Sequence, residues 1–284
     1  LSTPMPSFNY RKDRAMMMSA AGSTVRRALW LALVTVLYLF LLAPVIITVV
    51  ISFERDPLIT FPPHGFTFSW YSQVVSNDDF ASGFKISLIV GIVVTLIAVA
   101  VCVPAAYALT RRAFRGSSLL SAMLISPLVV THVVLGLGLL LVLSPLGLIG
   151  TYQGLVIAHL SVTMPYVLRT TSISLMIANT ECEQAARSLG ANGWKTFISV
   201  TVPAIRPGVI AGALFAFLIS FDEAVISLFV MSPSGGTLPV RIFDYVQYKT
   251  DPQLAALSTL LIALSIVFVV ALERIIGLRR AMGD

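Results

Sequence analysis

Charge is what this sequence has least of. Only 11% of its 284 residues are Asp, Glu, Lys or Arg, against roughly 25% in ordinary soluble domains. Residues 116–168 contain none. With 57% apolar side chains and a mean hydropathy of +0.92, that scarcity excludes a soluble globular domain and points to a chain embedded in lipid. Cysteine is nearly missing as well. Cys102 falls in an apolar run and Cys182 in a polar loop, so no disulfide is expected. The histidines His64, His132 and His159 share no metal-ligand spacing, and no metal site is expected. The G-x-x-x-x-G-K-[ST] pattern of a P-loop is absent, so nucleotide hydrolysis is not expected of this chain and the sequence is not that of an ATP-hydrolysing enzyme. The net charge of +6 does not argue for nucleic acid, because the cations are sorted by membrane side.

What is present is a series of apolar runs. Residues 28–53 are uncharged. As a helix they measure about 39 Å at about 1.5 Å per residue, enough to cross a core of about 30 Å. The run lacks the short apolar core and small-residue cleavage site of a signal peptide, so a retained span is expected, bent near its outer end by Pro44. Leu1 is followed by candidate start methionines at Met5 and Met16 to Met18. Residues 54–83 form a loop whose Phe66, Phe68, Trp70 and Tyr71 are expected to anchor at the interface. A second span covers residues 86–110. The charge-free stretch 116–168 is too long for one crossing, and Ser144-Pro145-Leu146-Gly147 divides it into a third and a fourth span. The fifth runs from Pro207 to about Met231 and the sixth from Pro252 to about Leu272.

Six crossings place both termini on one side. With the termini inside, 15 Lys and Arg lie inside and four outside, the latter being Arg55, Lys85, Arg241 and Lys249. The positive-inside rule fixes that orientation. The expected organisation is a cytoplasmic tail at 1–27, a transmembrane domain at 28–276 carrying a cytoplasmic loop at 177–206, and a cytoplasmic tail at 277–284.

That loop is the only extended polar segment between apolar spans. Thr180 followed by Glu183 has the capping-box spacing, Gly190 stands where a left-handed residue would end the helix, and Pro203 closes the segment. Ala185, Ala186 and Leu189 share one face, where small side chains allow close approach of a partner. Gln184-Ala185-Ala186, three residues, Gly190, nine residues, then Val200-Thr201-Val202-Pro203 resembles the EAA loop of ATP-binding-cassette importer permeases. Gln184 stands for the motif's Glu, Val200 for its Ile and Val202 for its Leu; Glu183 lies one position early. The resemblance implies a coupling helix, with Glu183, Gln184, Ala185, Ala186, Leu189, Gly190 and Pro203 facing or shaping a groove on a cytoplasmic ATPase.

Asp222 and Glu223 stand inside the fifth span, where an acid costs about 2.5–3.5 kcal/mol near the helix centre. Facing lipid is therefore excluded. Two readings stay open: bonds to neighbouring helices or the cap of a broken helix, and a negative lining for a cationic solute. His132 and His159 are expected to bond neighbouring helices, and His64 to be solvated. Gly136 and Gly138 allow close helix approach.

The stretch Ser220-Phe221-Asp222-Glu223 through Phe229-Val230, with Gly235-Gly236-Thr237-Leu238-Pro239, is similar to spermidine/putrescine-type permeases, as is Phe66-Thr67-Phe68-Ser69-Trp70-Tyr71. The resemblance implies an all-α membrane protein with six transmembrane helices and the type I importer fold, in a bacterial inner membrane. It implies a second permease, two ATP-binding subunits that hold ATP and magnesium, and a periplasmic solute-binding protein. The implied solute is a small cation of the polyamine kind, with Ser220, Phe221, Asp222 and Glu223 on its path. An opine or other amine remains open, as does a proton-coupled secondary transporter using Asp222, Glu223 and His132. A hydrolytic dyad is disfavoured, because adjacent acids on one helix do not converge.

Overall fold

A computed structural model describes residues 10–111, 114–231 and 235–276. Residues 1–9, Arg112 and the tail at 277–284 with Arg279 and Arg280 lie outside the described residues. Among those described there is no strand, only an isolated bridge between Glu54 and Phe66. Long helices dominate because uninterrupted apolar runs in lipid must satisfy their backbone groups internally.

Helix α1 covers Tyr10–Ile51, so it begins well before the expected first span. At about 1.5 Å per residue its 42 residues measure about 63 Å, about twice a bilayer core. Its apolar section Leu29–Ile51 is unburied and touches little besides α13. A short α2 (Ser69–Val75) leads to α3 (Asp78–Arg111), which starts before the expected residue 86 with Asp78 and Asp79 in its first turn. Acids there complement the positive helix N-terminus.

The expected third span is not one helix. α4 (Ser117–Ile125) passes into a short 3-10 turn to Leu128, and after a bend of 108° α5 covers His132–Leu143. Pro127 lacks the N–H that would continue the first piece. The expected break at Ser144-Pro145 is present, with Gly147 and Gly150 at φ +66° and +75° before α6 (Tyr152–Ile177). The polar segment forms α7 (Thr180–Ser188), α8 (Gly193–Thr196), a π-helical turn at Phe197–Thr201 and α9 (Val202–Ala204).

The fifth span is also interrupted. α10 (Arg206–Asp222) leaves the preceding piece at 75°, and α11 (Val225–Val230) begins beyond an extended Glu223. An unforeseen α12 (Leu238–Tyr248) precedes α13 (Pro252–Ile276). Two described helices are individually long and apolar enough to cross a membrane, Leu29–Ile51 and Asp78–Arg111, or four spans if each bent pair counts as one. α6 has 26 residues but carries Gln153, His159 and Arg169.

The core sits where α3, α6 and α10 meet. Ala98, Cys102, Val103 and Ala106 pack on Val167, Leu168, Leu175, Ile205 and Ala216. α10 approaches α6 closely because a Cβ at Gly208 would collide with Ser174, and one at Gly212 would meet the Val167 Cα at 3.0 Å. Gly136 likewise faces Phe229, whereas Gly138 meets nothing within 4 Å. In a second cluster Trp70, Val74 and Phe80 pack on Leu238, Ala256 and Leu257. Trp70 is therefore buried, with its indole N–H donating to the Glu54 carbonyl at 2.7 Å, and is not a lipid-facing anchor. Phe66 and Phe68 are exposed.

Candidate functional site

Two places gather polar side chains, one at the cation-rich end of the bundle and one at the broken helices. At the first, α7 is short and polar, and its terminal groups decide its stability. The expected capping box does not form. Asn179 is the N-cap, its side chain accepting from the Glu181 N–H at 2.8 Å, so Thr180 is already the first helical residue. Asn179 takes the role because its amide oxygen reaches the second free N–H, as Asn does well at such positions. Gly190 ends the segment at φ +87°, as expected, and its N–H donates to Arg187 O at 3.0 Å.

Glu183 is freed from capping and turns inward. Its carboxylate accepts from Arg111 Nε at 3.3 Å and from the Tyr107 hydroxyl at 3.4 Å. Arg111 also donates from Nη2 to the Ala178 carbonyl at 3.0 Å, and Arg187 donates to the Tyr107 hydroxyl at 3.1 Å. The two charged side chains are only 14% and 9% exposed. The pair ties α7 to the end of α3 and to the carbonyl of Ala178, the C-cap of α6.

The opposite face is open. Gln184, Ala185 and Leu189 are exposed and Ala186 half-buried, and Leu189 is 89% exposed. Trp194 is also exposed, its ring tilted at 5.9 Å against the buried Phe197, which meets Tyr107 at 5.0 Å. Pro104, Tyr107, Ala108, Gly193, Trp194 and Phe197 line a groove of 260 Å³ beside α7. Pro203 is exposed just beyond the π-helical turn, where its missing N–H costs the helix least. Thus Glu183 to Gly190 lie on or at the end of α7 and Pro203 in the separate α9, with Glu183 facing inward and Gln184, Ala185 and Leu189 exposed.

At the second place the acids part company. Asp222 is the last residue of α10 and is exposed; Glu223 is extended and 5% exposed. Glu223 Oε1 accepts from Ile226 N–H at 3.0 Å, capping α11, and Oε2 lies 2.9 Å from His132 Nδ1 at the start of α5. Ser227 donates its hydroxyl to the Glu223 carbonyl at 2.7 Å. The buried His159 then spans the break, with Nδ1 2.8 Å from Ser220 Oγ and Nε2 2.9 Å from Ser227 Oγ. Since the Ser227 proton is already used, Nε2 carries the hydrogen, and neutral Nδ1 accepts from Ser220. Both histidines bond neighbouring helices, as expected. Phe221 packs edge-on against Phe84 at 5.9 Å and stacks with Phe217 at 5.8 Å.

A third grouping was not expected. Glu54, Asp56 and His64 bring ligand atoms within 4.8 Å of one another in the first loop. The Glu54 oxygens are already engaged by the Thr60 hydroxyl at 2.7 Å and by the N–H groups of Arg55, Asp56 and His64. These bonds hold its carboxyl below the ordinary value, with Thr60 the largest contributor. The grouping therefore works as a loop clasp, and His64 remains largely solvated as expected. Cys102 is buried and Cys182 exposed, both free.

Comparison with known proteins adds context to this geometry. Residues 101–281 match the family described as binding-protein-dependent transport system inner membrane component. The chain is 31% identical over 242 residues to the spermidine/putrescine transport system permease protein PotC of Escherichia coli (strain K12), covering 85% of this chain and 91% of that protein. It is 34% identical over 246 residues to the putrescine transport system permease protein PotI of the same strain, covering 84% and 87%. The molybdenum transport system permease protein ModB of Haemophilus influenzae is 30% identical, over 66% of this chain and 89% of its own. A crystal structure of a bacterial ABC transporter involved in the import of the acidic polysaccharide alginate shares the fold, with a TM-score of 0.63 at 17% identity over 97% of this chain and 99% of that one.

Proposed function

Since the chain belongs to the binding-protein-dependent transport system inner membrane component family, we propose that it supplies half of the membrane pathway of an ATP-driven importer for a small cationic solute of the polyamine kind. The observation that carries this reading is α7: a capped polar helix, open on one face and tied on the other to α3 and α6 through Arg111 and Glu183. In this reading it docks on an ATPase subunit at the cytoplasmic face of a bacterial inner membrane. Six crossings leave both termini on that side, and a second permease completes the pathway. A binding protein delivers the solute from the periplasm.

The polyamine permeases match over 84–85% of this chain and the molybdenum permease over 66%, which supports a polyamine-like solute. The acids do so too. Asp222 is exposed at the end of α10, and Glu223 lies at a helix break of the kind that lines cavities in transporters. Negative charge there favours an amine over an oxyanion.

ATP would close the paired ATPase subunits and draw the two docked helices together. Motion of α7 passes into α6 through Ala178 and into α10 through the 193–204 segment. Docking must discriminate between the inward- and outward-facing states, because equal affinity shifts nothing. The test is uptake of labelled putrescine and spermidine by proteoliposomes holding the complete importer. ATP-dependent uptake that resists a proton uncoupler is expected. Uptake abolished by the uncoupler and indifferent to the ATPase would support a proton-coupled carrier instead, and uptake of opines alone would move the solute class.

A further inference from the structure

Both oxygens of Glu223 are occupied, but by partners of different kinds. Ile226, which donates to Oε1, is a fully buried backbone position fixed in α11. His132, which meets Oε2 at 2.9 Å, has a side chain 45% exposed and is the first residue of α5 beyond the 108° bend. One partner is a backbone N–H fixed in a helix; the other is a side chain that reaches the carboxylate from the more exposed side. The imidazole thus stands where an ammonium group would have to sit to reach that oxygen.

We propose that His132 is a tethered competitor for the solute's ammonium group on Glu223, a positioning residue that sets when the carboxylate is available. This rests on the reading of the pathway as one for a cationic solute. The break itself does not need His132. The Oε1 bond to Ile226, the Ser227 hydroxyl on the Glu223 carbonyl and the His159 bridge hold it from the other side. Removing the imidazole therefore exposes one carboxylate oxygen without unlocking the helices. A solute without a cationic donor displaces the histidine less readily, because neutral donors bond a carboxylate more weakly than charged ones, so the arrangement also selects for charge.

An imidazolium competes better than an imidazole, because charge-assisted bonds to a carboxylate are stronger than neutral ones. Transfer should therefore weaken as pH falls. The other titratable groups on elements packed here are few. α10 carries Asp222 beside the site and Arg206 at its far end; α6 carries His159 across the break, with Tyr152, Tyr166 and Arg169 elsewhere along it. α5 carries only His132, and α11 none.

The test uses the complete importer in proteoliposomes with saturating putrescine-loaded binding protein. It reads putrescine taken up per ATP hydrolysed, as the ratio of variant to wild type at each pH, so that effects on the binding protein and ATPase cancel. Between about pH 8 and pH 5, the H132A ratio should rise by about two- to tenfold, the worth of one net hydrogen bond. H132K, a permanent cation, should give low uptake at the alkaline end, and its ratio should climb as wild type weakens. A flat ratio for H132A overturns the proposal. Should H132A fail to assemble, the H132K ratio decides: a value unchanged from one across the range overturns it. E223Q separates the two levels. Normal uptake in E223Q removes Glu223 from the cation path altogether, whereas loss of uptake in E223Q with a flat H132A ratio refutes the competitor alone.

Discussion

Breaking the Arg111–Glu183 contact gives the sharpest prediction about the loop. At 3.3 Å and an effective dielectric of about 20, the Coulomb attraction is about 5 kcal/mol. Both side chains are nearly hidden from water, so desolvation offsets part of this, and a net coupling of about 1–3 kcal/mol is expected for residues in direct contact. Arg111→Ala also loses the bond to the Ala178 carbonyl and leaves Glu183 buried without its cation, so it should cost more than Glu183→Ala. The readout is amide exchange across α7 in the purified complex, which reports the free energy of local opening. Each single variant should exchange about 10- to 100-fold faster in α7, since tenfold corresponds to about 1.4 kcal/mol. The double variant should be little worse than Arg111→Ala alone. Additive effects in the double variant, or unchanged exchange in Arg111→Ala, would refute the idea that this pair anchors the helix.

Other expectations follow from the same geometry. His159→Ala leaves the Ser220 hydroxyl without its histidine partner and takes from Ser227 the bond to Nε2, in a fully buried site, and should lower stability by about 2–3 kcal/mol, seen as a lower melting temperature of the complex. Gly190→Val meets no steric obstacle but must adopt φ +87°, costing about 1–2 kcal/mol; uptake should fall while expression holds. Glu54 has a folded pKa below its unfolded one, so its contribution is present above the ordinary carboxylate value and is lost as pH falls through the folded one. Trp70 fluorescence, which reports the Glu54 carbonyl contact, should change below about pH 4, and Glu54→Gln should remove that transition.

Much of the architecture was legible because lipid demands long apolar helices, and composition alone marks them. The Ser144–Gly147 turn and the left-handed Gly190 were visible because glycine and proline announce themselves locally. The 108° bend had a signal in Pro127, hidden inside a run that looked uniformly apolar. The break at Glu223 had neither glycine nor proline to mark it, only the adjacent acids Asp222 and Glu223, for which the cap of a broken helix was one of two open readings. It exists because the Glu223 side chain captures Ile226 N–H, Ser227 captures the Glu223 carbonyl, and His132 arrives from a helix 91 positions earlier in the sequence. Glu183 was misplaced for a similar reason. Its spacing from Thr180 suits a capping box, yet Arg111 lies close enough to take the carboxylate, and Asn179 caps in its stead. Long-range polar contacts of this kind leave no local pattern.

The account depends on α7 lying at the cytoplasmic face against an ATPase subunit, and the chain carries its own probe. Cys182 is exposed one turn before Ala186, whereas Cys102 is buried. A thiol cross-linker applied to membranes holding the complete importer should join Cys182 to the nucleotide-hydrolysing subunit, and Cys182→Ser should abolish the product. Labelling of Cys182 by an impermeant maleimide added from the periplasmic side would contradict the account.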